Sequence, residues 1–167
     1  MSNQRAGRAG AGIITAALAI GGTSHPDSPS HKAECEEYDG SSWTGGTALN
    51  VKRAVSKMSG STTAALVFSG ETAPDAVIAT TEQWNGSSWT EVADLNDARS
   101  DLTGFGIATS AVAAGGWTPP NTANTELWNG TSWTEVNNMG TARQEMSSAG
   151  VDSTAGLIFG GDGAPSK

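Results

Sequence analysis

The chain has 167 residues, the length of a single domain, with 17 acidic against 9 basic side chains and a formal net charge of −8. That balance argues against a nucleic-acid binder, which needs a basic stripe to meet phosphates. One Cys, one Tyr and two His exclude an intrachain disulfide and most metal, thiol and imidazole chemistry, and no apolar run approaches the ~18 residues of a membrane span.

At the N-terminus, Arg5 and Arg8 precede the apolar run Ile13 to Ile20. Basic residues before an apolar stretch have the form of a secretory leader. Closely similar text returns at Thr63 to Phe68, so the run reads instead as a short buried strand of the fold, closed by Gly21-Gly22. His25 and His31 flank Pro26, Asp27 and Pro29; the spacing matches no usual ligand set and reads as a proline-stiffened loop, with no metal. Glu36 then leads into Tyr38-Asp39-Gly40-Ser41-Ser42-Trp43-Thr44. An Asp-Gly step between two aromatics predicts a hairpin, because such turns need positive φ.

The same order recurs. Trp84-Asn85-Gly86-Ser87-Ser88-Trp89-Thr90 and Trp128-Asn129-Gly130-Thr131-Ser132-Trp133-Thr134 repeat the hairpin text, with the second Trp advancing by 46 and then 44 residues. Arg5, Arg53, Arg99 and Arg143 advance by 48, 46 and 44. Each is followed by a small-residue doublet, Gly21-Gly22, Ser69-Gly70, Gly115-Gly116 and Gly160-Gly161, whose second member lies 17, 17, 17 and 18 residues after its arginine. Four markers on one period define an internal repeat. No stretch has a helical period, and each unit predicts four strands. In the third unit these are Arg99 to about Thr109, Ser110 to Gly116, Ala123 to Trp128 and Trp133 to Val136.

Arginine, an apolar strand ending in Gly-Gly, an aromatic, a turn and then Trp is an order that resembles kelch repeats. The version Trp84 to Val92 followed by Leu95 to Arg99 is similar to the kelch-like repeats of bacteriophage structural and tail-appendage proteins. Tyr38 in place of a Trp, Ser69 in place of a Gly, and Met139-Gly140 in place of Leu-Asn depart from the pattern. The resemblance implies an all-β fold of kelch-like β-propeller blades. Complete units span about 5–49, 53–95 and 99–139, and a partial one covers 143–161, so a single domain over 1–167 holds about three and a half blades. It implies a framework role for Arg5, Arg53, Arg99 and Arg143, bonded to neighbouring backbone, and for Tyr38, Trp43, Trp84, Trp89, Trp128 and Trp133, packed between blades. The alternative for the arginines is an anion site at one end of a channel.

Kelch-like copper-radical oxidases need two Tyr, a Cys and two His, and a single Tyr forbids that site. Glu36, Glu82 and Glu126 recur two residues before the first aromatic, which suits pairing with a turn or an arginine better than paired-carboxylate catalysis. Cys35 aligns with Thr81 and Thr125 as a small strand residue, and the Asn-Gly-Ser/Thr triplets at Asn85 and Asn129 are turns before they are glycosylation acceptors. No cofactor is expected.

The connections after the doublets differ most between units, which is how repeat proteins present binding surface. They supply the candidate ligand-binding residues His25, Asp27, Asp75, Trp117 and Asn121. Trp117 beside Pro119-Pro120 reads either as a platform for a sugar or peptide or as a loop Trp folded on its own prolines. The fourth unit stops after two strands, so Leu157, Ile158 and Phe159 form an apolar edge open to oligomerisation.

The expectation is therefore a non-enzymatic structural and binding module, an open arc or an oligomer-completed propeller in a phage particle. It would contact itself, other virion proteins or a host-surface carbohydrate or protein receptor, without nucleic acid or membrane insertion. The alternatives are a cytoplasmic kelch-type interaction scaffold and a fragment of a larger propeller enzyme.

Overall fold

A computed structural model describes residues 4–24 and 30–163. These residues contain β-strands and no helix. The first unit runs β1 (Arg5–Ala6), β2 (Ala9–Ile13), β3 (Ala16–Ile20), β4 (Thr23–Ser24), β5 (Cys35–Tyr38) and β6 (Trp43–Gly45). The second runs β7 (Lys57–Gly60), β8 (Ala65–Phe68), β9 (Glu71–Thr72), β10 (Ala76–Val77), β11 (Thr81–Trp84) and β12 (Trp89–Glu91). The third is β13 (Thr103–Ile107), β14 (Ser110–Ala114), β15 (Thr125–Trp128) and β16 (Trp133–Val136), and the last two strands are β17 (Arg143–Asp152) and β18 (Ala155–Gly163).

They form three four-stranded antiparallel sheets, β2-β3-β5-β6, β7-β8-β11-β12 and β13-β14-β15-β16, each a meander in chain order, followed by the β17-β18 ribbon. The first strands stand side by side, with β2 against β7, β7 against β13, and β13 against β17.

Two expectations about strands are corrected. Ile13 to Ile20 is not one strand: Ile13 ends β2, Ile14 and Thr15 turn, and β3 begins at Ala16, which leaves Ile13 and Ile14 exposed at a hairpin tip. In the first three units the first strand also does not run unbroken from its arginine: a left-handed residue two positions on, Gly7, Val55 or Asp101, interrupts it, whereas β17 runs from Arg143 through the left-handed Glu145.

Why the apolar runs have no alternation follows from the packing. Both faces of β8 meet another sheet. Ala65 and Val67 join Leu18, Ile20, Trp84 and Trp89 in a core towards the first unit. Leu66 and Phe68, on the opposite face, join Leu102, Trp128 and Trp133 in a core towards the third.

The hairpin turns form as the Asx-Gly steps predict. Gly40, Gly86 and Gly130 have φ of 96°, 94° and 94°. The side-chain oxygens of Asp39, Asn85 and Asn129 accept hydrogen bonds from the backbone N–H groups two and three residues on. Those donors, chiefly Ser42 N–H, pull the Asp39 carboxyl down to about 2.

The doublets join the units. Gly22, Gly70 and Gly116 donate to the carbonyls of Arg53, Arg99 and Arg143, the arginines of the following units, at 2.9, 3.1 and 2.9 Å. A Cβ at any of the three would sit 2.5 Å from the carbonyl oxygen of Ala6, Ala54 or Ser100, so only glycine fits. Where Ser69 replaces the first Gly, its Oγ donates to the Arg99 carbonyl at 2.6 Å and serves the same junction. The extra residue in the fourth unit's arginine-to-doublet spacing becomes a β-bulge between Gly150 and Asp152, which keeps Gly160-Gly161 in register.

Candidate binding surface

The first three units are each built around a buried arginine. Arg53 donates to the carbonyls of Ser69 (3.1 Å) and Thr80 (2.6 Å) and pairs with Glu82 at 2.8 Å. Arg5 contacts Gly21 and Glu34 carbonyls and pairs with Glu36; Arg99 contacts the Asn124 carbonyl and pairs with Glu126 at 2.9 Å. Burial presses the Arg53 and Arg99 guanidiniums below their ordinary values, while the carboxylates of Glu82 and Glu126 hold them up. The carboxylates are further clasped from the preceding linker: Asn50 donates to Glu82, and Asn96 to Glu126, each through backbone and side chain. Three arginines are thus occupied within their sheets, which removes the anion-site reading for them. Arg143 differs: its Nη1 donates to the Gly160 carbonyl, and no carboxylate pairs with it among the described residues.

The aromatics are paired across each hairpin, Tyr38 with Trp43, Trp84 with Trp89 and Trp128 with Trp133, at 5.2, 5.2 and 5.4 Å between centroids. The first indole reaches back within its unit, Trp84 to the Thr62 carbonyl and Trp128 to that of Ala108. The second reaches the preceding unit, Trp89 to the Thr47 carbonyl and Trp133 to Thr81 Oγ1, with Trp133 edge-on to Phe68.

Cys35 lies opposite Ile20, the place Thr81 and Thr125 take opposite Phe68 and Ala114. Burial, with Glu37 adding to it, pushes its thiol up to about 11. Ellman's reagent at pH 8 should therefore label the folded chain slowly and the unfolded chain fully; equal rates in both states would contradict this burial.

The variable loops all leave the same end of their units, beside the arginines, as the pairings Ala6 with Thr23, Ala54 with Glu71 and Ser100 with Trp117 require. Trp117 is half-buried and meets Asn121 across a short loop. Asp75 stands exposed at the tip of the separate β9-β10 hairpin. His25 and Asp27 lie outside the described residues. The structure thus brings Trp117 and Asn121 together and keeps Asp75 on another loop. A concavity of about 570 Å³ lies between the first two units, lined by His31, Asn50, Lys52 and Thr72 among others.

Between the first strands lies a feature the repeat markers did not reveal. A cavity of about 290 Å³ is lined by Arg8, Ser56, Lys57, Thr103, Ser147 and Ser148, drawn from all four units. A second of about 410 Å³ shares Arg8, Ser56, Lys57 and Ser147 with it and adds the left-handed Gly7, Val55, Asp101 and Glu145. The cue was available in the text as a fixed offset of two from each arginine, but the residue type varies there, so only backbone geometry exposes it. Among the described residues no group of three His, Cys, Asp or Glu is placed to hold a metal.

No protein-family model matches the chain, and a search of curated proteins finds no match.

Proposed function

We propose that this chain is a non-enzymatic structural and binding module, a kelch-like propeller arc that belongs to a phage particle or appendage. The observation carrying the first part is the use of the recurrent ionisable groups. Arg5, Arg53 and Arg99 with Glu36, Glu82 and Glu126 are buried and committed to each other and to backbone. Residues spent this way hold sheets together rather than act on a substrate. What varies from unit to unit is the loops at one end, and an unvarying frame with variable loops suits recognition. The order of the first strands, side by side and turned towards a shared cavity, supports a propeller arrangement of the sheets. The phage assignment rests on the resemblance of the repeat text to virion appendage proteins. In this reading Trp117 and Asn121 face a host-surface glycan or protein, and Asp75 contributes from the neighbouring loop.

The test is direct. Incubation with chromogenic galactosides and sialosides should give no turnover, and the chain should be found in purified particles. Turnover lost on Arg99→Ala would overturn the reading, as would absence from particles carrying its gene.

A further inference from the structure

We infer that the space between the first strands of the units is a binding site for a small oxyanion, a phosphate or carboxylate group carried on a hydroxylated molecule, with Lys57, Arg8 and Ser56 as the residues that hold it. Neither the virion assignment nor the loop-end recognition proposed above is needed for it.

Charge is the first observation. Acidic side chains outnumber basic ones in this chain, 17 to 9. The inner cavity, of about 290 Å³, has the opposite character: Arg8 and Lys57 line it, and no Asp or Glu does. Arg5, Arg53 and Arg99 each face a glutamate, whereas Lys57 makes no ion pair among the described residues. Two cations lining one cavity repel each other, and an anion between them reverses that cost.

The second observation is a buried hydroxyl without a partner. Ser56 is 3% exposed and lines both the inner and the outer cavity, and its Oγ has no hydrogen-bond partner. A buried polar atom in that state costs free energy that a bound acceptor recovers. Elsewhere in the lining the hydroxyls serve each other. Thr103 Oγ1 donates to Ser148 Oγ at 2.8 Å, and Ser148 Oγ to the Gly104 carbonyl at 3.0 Å.

The repeat frame does not call for these residues. The place three after each arginine holds Arg8, Ser56, Leu102 and Met146. Leu102 and Met146 are buried, and Leu102 belongs to the core between the second and third sheets. Arg8 and Ser56 thus put polar groups at a place that the other two units fill with apolar ones. They do so in the two units whose first strands, β2 and β7, stand side by side, so the holding residues lie at one junction.

The outer cavity indicates what else the ligand carries. It shares Arg8, Ser56 and Lys57 with the inner one and adds Asp101 and Glu145. With its anionic group on Lys57, a molecule that reaches these carboxylates must bring hydrogen-bond donors there and no second anion. The inner volume is at the lower end of the range for small-molecule sites, which suits a single sugar acid or sugar phosphate.

The experiment titrates the full chain at low salt, by isothermal calorimetry, with glucose 6-phosphate, glucuronate, inorganic phosphate and glucose. The expected result is saturable binding of at least one of the two charged sugars and none of glucose. Glucose 6-phosphate alone would assign a phosphate to the site and glucuronate alone a carboxylate, and either supports the inference. Lys57→Met keeps the stem and removes the charge. It should weaken binding about tenfold or more, as loss of a charge-assisted contact implies, and leave Tm unchanged or raised because a repulsion is relieved. Ser56→Ala should weaken binding severalfold. Absence of saturable binding by both charged sugars would overturn the inference, as would equal binding by the Lys57→Met chain or binding of glucose as tight as theirs. A lower Tm for Lys57→Met with binding intact would also overturn it, by making Lys57 a framework residue. Inorganic phosphate bound as tightly as glucose 6-phosphate would overturn the part given to Asp101 and Glu145.

Discussion

Glu82→Ala should unfold the second unit's junctions and lower stability by about 3–5 kcal/mol, the range for breaking a buried ion pair by removing one partner. The Glu82 carboxylate accepts from Arg53 Nη2 at 2.8 Å, Asn50 N at 2.7 Å, Asn50 Nδ2 at 2.9 Å and Val51 N at 3.1 Å. Both charged side chains are fully buried, so truncation strands a guanidinium away from water and takes the acceptor from three N–H donors. Urea denaturation of the two proteins measures the difference. Glu82→Gln should fall between them, since it keeps an acceptor but loses the charge. Replacing Arg53 and Glu82 together by apolar residues often rescues a buried pair. Here rescue should be incomplete, because Arg53 also holds the Ser69 and Thr80 carbonyls. A loss under about 1 kcal/mol for Glu82→Ala would mean that water reaches this site and that the pair is not a framework element.

The same residues show how far the sequence can be read. The repeat period located the strands because each marker has one physical job. Asx-Gly makes the hairpin turn, and the second doublet glycine admits the carbonyl beside it. The recurrence of Arg and Glu on one period already placed them in one frame, though only coordinates show that they meet each other. The exposed Ile13 and Ile14 were illegible, since an apolar pair in an apolar run carries no sign of a turn. The turn there is closed by the pairing of Ile13 with Ala16, which only the strand register reveals. The cavity between the first strands was illegible for a different reason. Its lining combines Ala9, Lys57, Thr103 and Ser147, each four residues after its unit's arginine, which share a place in the fold but not one residue type. A left-handed backbone at Val55 is likewise invisible, because β-branched residues avoid that region and nothing in the text marks the exception.

The two classes of tryptophan should separate by their effect. Trp89→Ala removes an indole that is 6% exposed, stacked at 5.2 Å on Trp84 and bonded to the Thr47 carbonyl of the preceding unit. Truncating a buried Trp costs roughly 3–5 kcal/mol, from lost transfer energy and the cavity left behind. This indole also closes the contact between the first and second sheets, where Ile20, Cys35 and Val67 share its core. Its removal should therefore loosen the junction as well as the unit, and hydrogen exchange should rise at Ala16–Ile20 together with Ala65–Phe68. Trp117 stands on a loop, half-buried, and its backbone N–H and carbonyl, not its ring, make the bonds to Ser100. Trp117→Ala should keep those bonds and shift stability by less than about 1 kcal/mol, as surface substitutions away from the core do. If the loop end is the recognition surface, the same substitution should abolish attachment of the chain to host cells in a pull-down while Trp89→Ala reduces the folded fraction instead. Equal loss of stability from both changes would place the Trp117 ring in the core and remove the loop end as an aromatic platform.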